Sequence, residues 1–237
     1  MIENKYVGFI CQKVAYQDND AIVTILTEDG KQTFKARGIN KINSKNGPAT
    51  NYFMLAEYIT TSKSELSNKT LKNANIIKVF KNAFDDLLIS SSYLYICSLL
   101  NQVSEQINGY QIALSCFEML ENKIYPINVL NYFLKHLVNG LGYAPNLEGC
   151  IICNKKTNLI SFDFEQGGFV CKNCFNNNHF YQMPLNFLKD LYHFLKNDDF
   201  MELDEQHSLK LFKLYNEYFK NTNLLKTDNY DFLLKCL

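Results

Sequence analysis

The first eighty residues alternate. In "KYVGFICQKVAY", "AIVTILT", "KQTFKARGI", "YFMLAEYIT" and "NIIKVF", β-branched and aromatic residues recur at every second position or in short unbroken runs. Asp18-Asn19-Asp20, Asp29-Gly30 and "KINSKNGP" separate these runs with turn-forming residues. The pattern predicts five short strands, which suit a small barrel of the OB type. "TEDGK" predicts a hairpin whose turn uses Gly30, because glycine tolerates a positive φ.

From about Phe84 the period lengthens. "FDDLLISSSYLYICSLLNQVSEQI", "QIALSCFEMLENK" and "INVLNYFLKHLVNGLG" place apolar residues three and four apart, as amphipathic helices do, and Gly140 and Gly142 supply a stop. After Pro184, "PLNFLKDLYHFLKN" and "DEQHSLKLFKLYNEYFK" resume the helical period. The second opens with Asp204 and Glu205 and carries Lys210, Lys213 and Lys220 later, an order that complements a helix dipole. No repeat or low-complexity linker intervenes, so the helices are expected to pack directly on the barrel.

Between the helical runs lies "GCIICNKKTNLISFDFEQGGFVCKNC", in which two Cys-x-x-Cys pairs bracket seventeen residues. Cys150, Cys153, Cys171 and Cys174 have the two-knuckle spacing of a tetrahedral Zn²⁺ site, since each turn delivers two thiolates to one ion. "LISFDF" alternates as a strand, "EQGG" turns and "FVC" returns, so a hairpin is expected to bring the knuckles together. Four cysteines close the coordination shell, whereas a catalytic zinc keeps a position for water; the expected site is structural, with one ion per chain. His179 follows the last knuckle and is expected to be a surface residue. The fold expected is therefore α+β and multidomain. An OB-fold β-barrel at residues 1–81 precedes an α-helical domain at 82–237, which carries a four-cysteine zinc-ribbon-like insert at 147–176.

Composition fits this reading. The 237 residues, 47% of them hydrophobic, can supply more than one core. "MIENKY" lacks the regions of a secretory signal, and "LLISSSYLYICSLL" is too short and too serine-broken to span a bilayer, so a cytoplasmic protein is expected. In that compartment eight cysteines do not indicate a disulfide framework. Cys11, Cys97, Cys116 and Cys236 stand singly among apolar residues and are expected in the core.

Enzyme signatures are absent. There is no Gly-x-x-x-x-Gly-Lys loop, no Gly-x-Ser-x-Gly elbow and no His-Glu-x-x-His, and none of His136, His179, His193 or His207 is followed two residues later by the Glu of a zinc deaminase. Asp85-Asp86 and Asp198-Asp199 read as helix-start or turn residues.

Charge is zero overall but unevenly spread. Residues 1–81 carry 12 Lys and Arg against 7 Asp and Glu, and residues 82–237 carry 12 against 17. In "KQTFKARGINKINSK" the alternation puts Lys31, Thr33, Lys35 and Arg37 on one strand face, with Gln32, Phe34 and Ala36 on the other. Lys41 and Lys45 continue the run into a loop, and no acid interrupts it before Glu57. Cations along one edge of a barrel suit a nucleic-acid backbone, and Asn40, Asn43 and Ser44 add neutral donors for phosphate oxygens. Tyr16, Phe34 and Tyr52 are aromatic candidates for base stacking, with Phe34 the one best placed for the core. An RNA-binding or translation-associated OB and zinc-ribbon protein, or a non-catalytic interaction adaptor, satisfies the same composition.

"LGYAPNLEGCIIC" (141–153) and "FDFEQGGFVCKNC" (162–174), with "ILTEDGKQTFKARGINKINSK" (25–45), resemble the RecO family of bacterial DNA-repair and recombination mediators. The resemblance covers nearly the whole chain. It implies an N-terminal OB domain, a helical C-terminal domain and a zinc module that some members lack. It further implies binding of single- and double-stranded DNA and annealing of complementary strands. Work with the partner RecR, loading RecA onto strands covered by single-strand-binding protein, is implied as well. By position Arg37, Lys41 and Lys45 fall in the family's basic DNA-contact segment. The sequence departs from the family in having Arg37 as its only arginine; lysine neutralises phosphate without the planar bidentate fork.

Overall fold

The computed structural model describes residues 1–65, 67–103, 109–176 and 180–237. His179 and the end of the first predicted helix, 104–107, lie outside them. The chain forms two compact units, Met1–Lys123 with Asp228–Leu237, and Ile124–Thr227. This division by packing falls inside the helical run, whereas the change from strand to helix comes between residues 79 and 82.

In the first unit five strands, β1 (Ile2–Tyr16), β2 (Asp20–Thr27), β3 (Gly30–Ala36), β4 (Met54–Ser62) and β5 (Lys69–Val79), close in the order β1-β2-β3-β5-β4. All neighbours are antiparallel except β3 and β5, which meet at a short parallel seam pairing Phe34 with Lys69 and Lys35 with Thr70. The period-2 pattern explains the interior: Ala21, Val23 and Ile25 of β2, Phe34 and Ala36 of β3, and Ala56 and Tyr58 of β4 are buried together. Gly30 takes a φ of 102° at the β2–β3 turn. β1 breaks register between Ile10 and Gln12, so Phe9, Ile10 and Cys11 are buried in succession. Ile10 faces the barrel core, while Phe9 stacks on Tyr110 and meets Phe117 edge-on. Each such ring contributes about 1.5–3 kcal/mol by leaving water.

β5 starts well before the predicted "NIIKVF". Its first half turns only Leu71 and Ala74 inward, and Lys72, Asn73 and Asn75 dilute the apolar signal. Helices α1 (Asn82–Asp85), α2 (Leu87–Gln102), α3 (Gly109–Glu121) and the C-terminal α7 (Tyr230–Lys235) complete this unit. Asp86 separates α1 from α2 by accepting the Ile89 N–H at 3.0 Å, an N-cap. The serines that follow bond back within the helix, Ser91 to the Leu87 carbonyl and Ser92 to that of Leu88, so their burial leaves no hydroxyl unmet. Cys11, Cys97 and Cys116 are core residues, and burial pushes the Cys11 thiol up to about 11. Cys236 differs, being half-buried with its thiol toward the Phe232 carbonyl.

In the second unit α4 (Pro126–Gly140), α5 (Leu185–Lys196) and α6 (Glu205–Thr222) surround a three-stranded sheet of β6 (Asn146–Cys150), β8 (Gly168–Cys171) and β7 (Leu159–Asp163), in that order. Gly142, at φ 86°, follows α4, and the Tyr143 N–H reaches back to the Val138 carbonyl at 3.0 Å. Asp204 caps α6 by accepting the His207 N–H. Buried Asn128 and Asn131 of α4 tie it to the α6 end, bonding Leu203 and Ser208. Lys135, 1% exposed, donates to the carbonyls of Phe194 and Asn197 at the C-terminus of α5, where the helix dipole favours a cation.

Candidate metal centre and nucleic-acid interface

The four clustered cysteines come from two tight turns brought side by side. β7 and β8 form the predicted hairpin: Asp163 accepts the N–H groups of Glu165 and Gln166, and Gly167 takes φ 66°. β6 pairs in parallel with β8, matching Cys150 to Phe169, so the first knuckle lies beside the strand that leads to the second. The first knuckle closes through Asn154 N–H to the Cys150 carbonyl and Cys150 N–H to the Lys155 carbonyl, both 2.8 Å. Gly149 is required there, because a Cβ would meet the Asn154 oxygen at 2.9 Å. The second closes through Cys174 N–H to the Cys171 carbonyl at 3.0 Å.

One sulfur of each cysteine lies within 4.8 Å of the other three, and Cys153 Sγ is 3.6 Å from Cys171 Sγ. Tetrahedral zinc–thiolate bonds set sulfurs about 3.8 Å apart, so the quartet has the dimensions of a closed four-thiolate site. The backbone prepares the ligands. Burial alone would raise the Cys150 thiol, yet the N–H groups of Cys171, Cys153 and Ile152 outweigh it and hold it at about 6. Cys171 is also lowered: burial opposes the shift, and the Cys174 N–H and the Cys153 thiol prevail. Cys174, hydrogen-bonded to Cys153, is pushed up to about 12. Phe169 packs on Tyr192 of α5 and Phe164 on Tyr215 of α6, so the ribbon is anchored to two helices of its own unit.

A second cluster joins His207 to Asp190 and Asp204, with Nδ1 2.7 and 2.9 Å from their carboxylates. It links α5 to the capped start of α6. Asp198 and Asp199 lie in the bend after α5, and neither acid pair contributes to this cluster.

On the barrel, the predicted alternation of β3 is present, with Phe34 and Ala36 inside. The five cations of the segment are not equivalent. Lys31 donates to the carbonyls of Asn101 and Val103, 2.9 and 2.7 Å away, and so caps the end of α2. Lys35 pairs with Asp20 at 3.0 Å and sits 4.3 Å over the Tyr16 ring. The acid that offsets Lys35 precedes it in sequence and reaches it through the β2–β3 pairing, where Ile22 opposes Lys35. Arg37, Lys41 and Lys45 are exposed and make no ion pair among the described residues. Their loop is held to the barrel by buried Ile39, by Gly38 N–H to Asp20, and by Asn40 N–H to the Asn19 carbonyl. Ser44 is used within the loop, accepting from Gly47 N–H, while Asn40 and Asn43 are exposed. Of the aromatic candidates, Phe34 is core, Tyr52 accepts the Lys13 N–H and is half-buried, and Tyr16 is exposed.

Sequence comparison agrees with this architecture. The family model described as "Recombination protein O N terminal" matches residues 1–80, and "Recombination protein O C terminal" matches residues 85–225. A DNA repair protein RecO of Mesoplasma florum is 28% identical over 188 residues, covering 75% of this chain and 69% of that protein. Its counterpart from Bacillus pumilus is 27% identical over 191 residues, covering 76% and 72%. One from Listeria monocytogenes is 27% identical over 192 residues, covering 78% and 74%. With barrel and helical region both matched in order, the chain belongs to the recombination protein O family.

Proposed function

We propose that this chain is a non-catalytic recombination mediator of DNA repair. It binds single- and double-stranded DNA, anneals complementary strands and, with RecR, helps load RecA onto strands covered by single-strand-binding protein. The observation that carries the DNA-binding step is the loop of Arg37, Lys41 and Lys45, exposed, fixed to the barrel and making no ion pair among the described residues. Such a loop screens the repulsion between two phosphate backbones without reading bases. Residues 1–81 are the DNA-binding part on this reading, and residues 82–237 are the helical domain that carries the zinc-binding insert at 147–176. One Zn²⁺ held by Cys150, Cys153, Cys171 and Cys174 supplies a closed structural shell. The protein works in the cytoplasm at the nucleoid; no described helix is long and apolar enough to cross a membrane.

The test is a salt series of single-stranded oligonucleotide binding. Replacing Arg37, Lys41 and Lys45 with Gln should flatten the log–log salt slope by about 2, the share of three phosphates at about 0.7 each. Lys35→Gln, its charge already offset by Asp20, should change the slope less, and Lys31→Gln should act on stability. An unchanged slope in the triple variant would move the DNA path off this loop. Preference for RNA of the same sequence would overturn the DNA reading.

A further inference from the structure

Apart from the cysteine quartet, the second unit brings three further metal-ligating side chains together. Asp190 of α5, with Asp204 and His207 at the start of α6, each place one donor atom within 4.8 Å of the other two. His207 Nδ1 lies 2.7 Å from Asp190 Oδ2 and 2.9 Å from Asp204 Oδ2. Asp204 spends its other oxygen, Oδ1, on the His207 backbone N–H as the cap of α6, and that bond holds Oδ2 toward the ring. The imidazole packs edge-to-face on Phe187, and His207 is 9% exposed. The side chains of Asp190 and Asp204 are 40% and 56% exposed, so the donors stand between a buried ring and solvent.

Two carboxylates turned on one nitrogen need positive charge between them. A single ring N–H aligns well with only one of them, and no Lys or Arg forms an ion pair with either among the described residues. Lys210, one turn beyond His207, lies 4.4 Å over the Phe187 ring instead. We propose that Asp190, Asp204 and His207 form a second metal site, for a six-coordinate divalent cation of the Mn²⁺ class. Bonds of about 2.1 Å at right angles set neighbouring donors about 3 Å apart, whereas a tetrahedral ion spreads them to about 3.4 Å. The observed 2.7 and 2.9 Å match the six-coordinate spacing. The ion takes the Nδ1 lone pair, with the ring proton on Nε2. Nε2 is 3.4 Å from the Asn186 side-chain amide, whose oxygen accepts that proton once the amide turns over, the kind of outer partner that orients a metal-bound imidazole. Three protein donors leave three corners to water. One nitrogen and two oxygens suit a harder ion than four thiolates do, so the two sites do not compete. When filled, the site clasps α5 to α6, the helices on which Phe169 and Phe164 anchor the ribbon.

The experiment titrates the zinc-loaded full chain with Mn²⁺, reading free Mn²⁺ by electron paramagnetic resonance and zinc content by a chelator assay. One Mn²⁺ per chain should bind without releasing zinc, and the melting temperature of the second unit should rise with Mn²⁺ concentration. Asp204→Asn keeps the cap of α6, because Asn caps as well as Asp, and removes a ligand. It and Asp190→Asn should each weaken Mn²⁺ binding at least about tenfold and abolish the rise in melting temperature, with zinc content unchanged. Asp199→Asn, in the bend after α5, should leave binding as it was. No Mn²⁺ bound at millimolar concentration would overturn the site, and so would binding that survives both ligand changes. Equal weakening by Asp199→Asn would reduce it to diffuse attraction by surface acids and refute it. Release of zinc in step with Mn²⁺ uptake would put the ion in the cysteine quartet and refute it too.

Discussion

The barrel and the cysteine ribbon solve the same problem by different means. The barrel's five strands run from 7 to 15 residues and enclose a continuous apolar interior, from Ile10 through Phe34 and Tyr58 to Leu71. The ribbon's strands have only 4 or 5 residues, and its buried apolar side chains are few, chiefly Phe162, Phe169 and Val170. A sheet that small is marginal on burial alone, and a metal ion held by the four converging thiols would supply what the core lacks. The comparison teaches where each part of the chain is vulnerable: the barrel to cavities, the ribbon to loss of a ligand.

The largest effect should come from the ribbon. Structural zinc in small peptides binds with about 10–16 kcal/mol, so Cys171→Ser or chelation should destabilise the second unit more than any single core deletion. Calorimetry should show its transition lowered, while amide exchange in β1–β5 stays protected. A melting profile unchanged after verified metal removal would break the comparison, leaving Phe164 and Phe169 to hold the ribbon unaided.

Next in size, Phe34→Ala should cost the barrel about 3–5 kcal/mol, since its ring fills the interior against Tyr58 at a centroid distance of 5.6 Å. Chemical denaturation measures this. Metal content, read by a chelator assay, should not change, because the ribbon does not depend on that core.

The smallest effect is electrostatic. The Gly38 N–H and then Lys35 hold the Asp20 carboxyl below its ordinary 3.8, with burial a lesser opposing influence. A carboxylate whose folded pKa is depressed stabilises the fold above its unfolded pKa, and that contribution is lost as pH falls through the folded value. Acid titration of the barrel should therefore show an increment of stability disappearing below about pH 4. Asp20→Asn should flatten that limb, and an unflattened limb would mean that the loop is held by Ile39 and the Asn40–Asn19 hydrogen bond without Asp20.

Much of this arrangement was legible without coordinates. Period-2 alternation located four of the five strands and put Phe34 inward against Lys35 and Arg37 outward. The change of period near Phe84 located the helices, and Asp86 and Asp204 act as the caps their positions suggested. The spacing of Cys150, Cys153, Cys171 and Cys174 needed only the "EQGG" turn to foretell their convergence. β5 was half hidden, because Lys72, Asn73 and Asn75 face outward and mask the inward Leu71 and Ala74.

Sequence by itself therefore determined the element types, the inward face of β3 and the convergence of the four cysteines, all of which rest on spacings of a few residues. Tertiary structure alone decided which cations remain available. Lys31 meets carbonyls seventy residues away, and Lys35 meets Asp20 across a hairpin, while Arg37, Lys41 and Lys45 stay exposed. It also decided that Asp190 of α5 meets His207 of α6 and that α7 joins the barrel's unit. The physical reason is range: dihedral preference and side-chain periodicity are written locally. Whether a charge is paired depends on which distant segment the fold brings beside it.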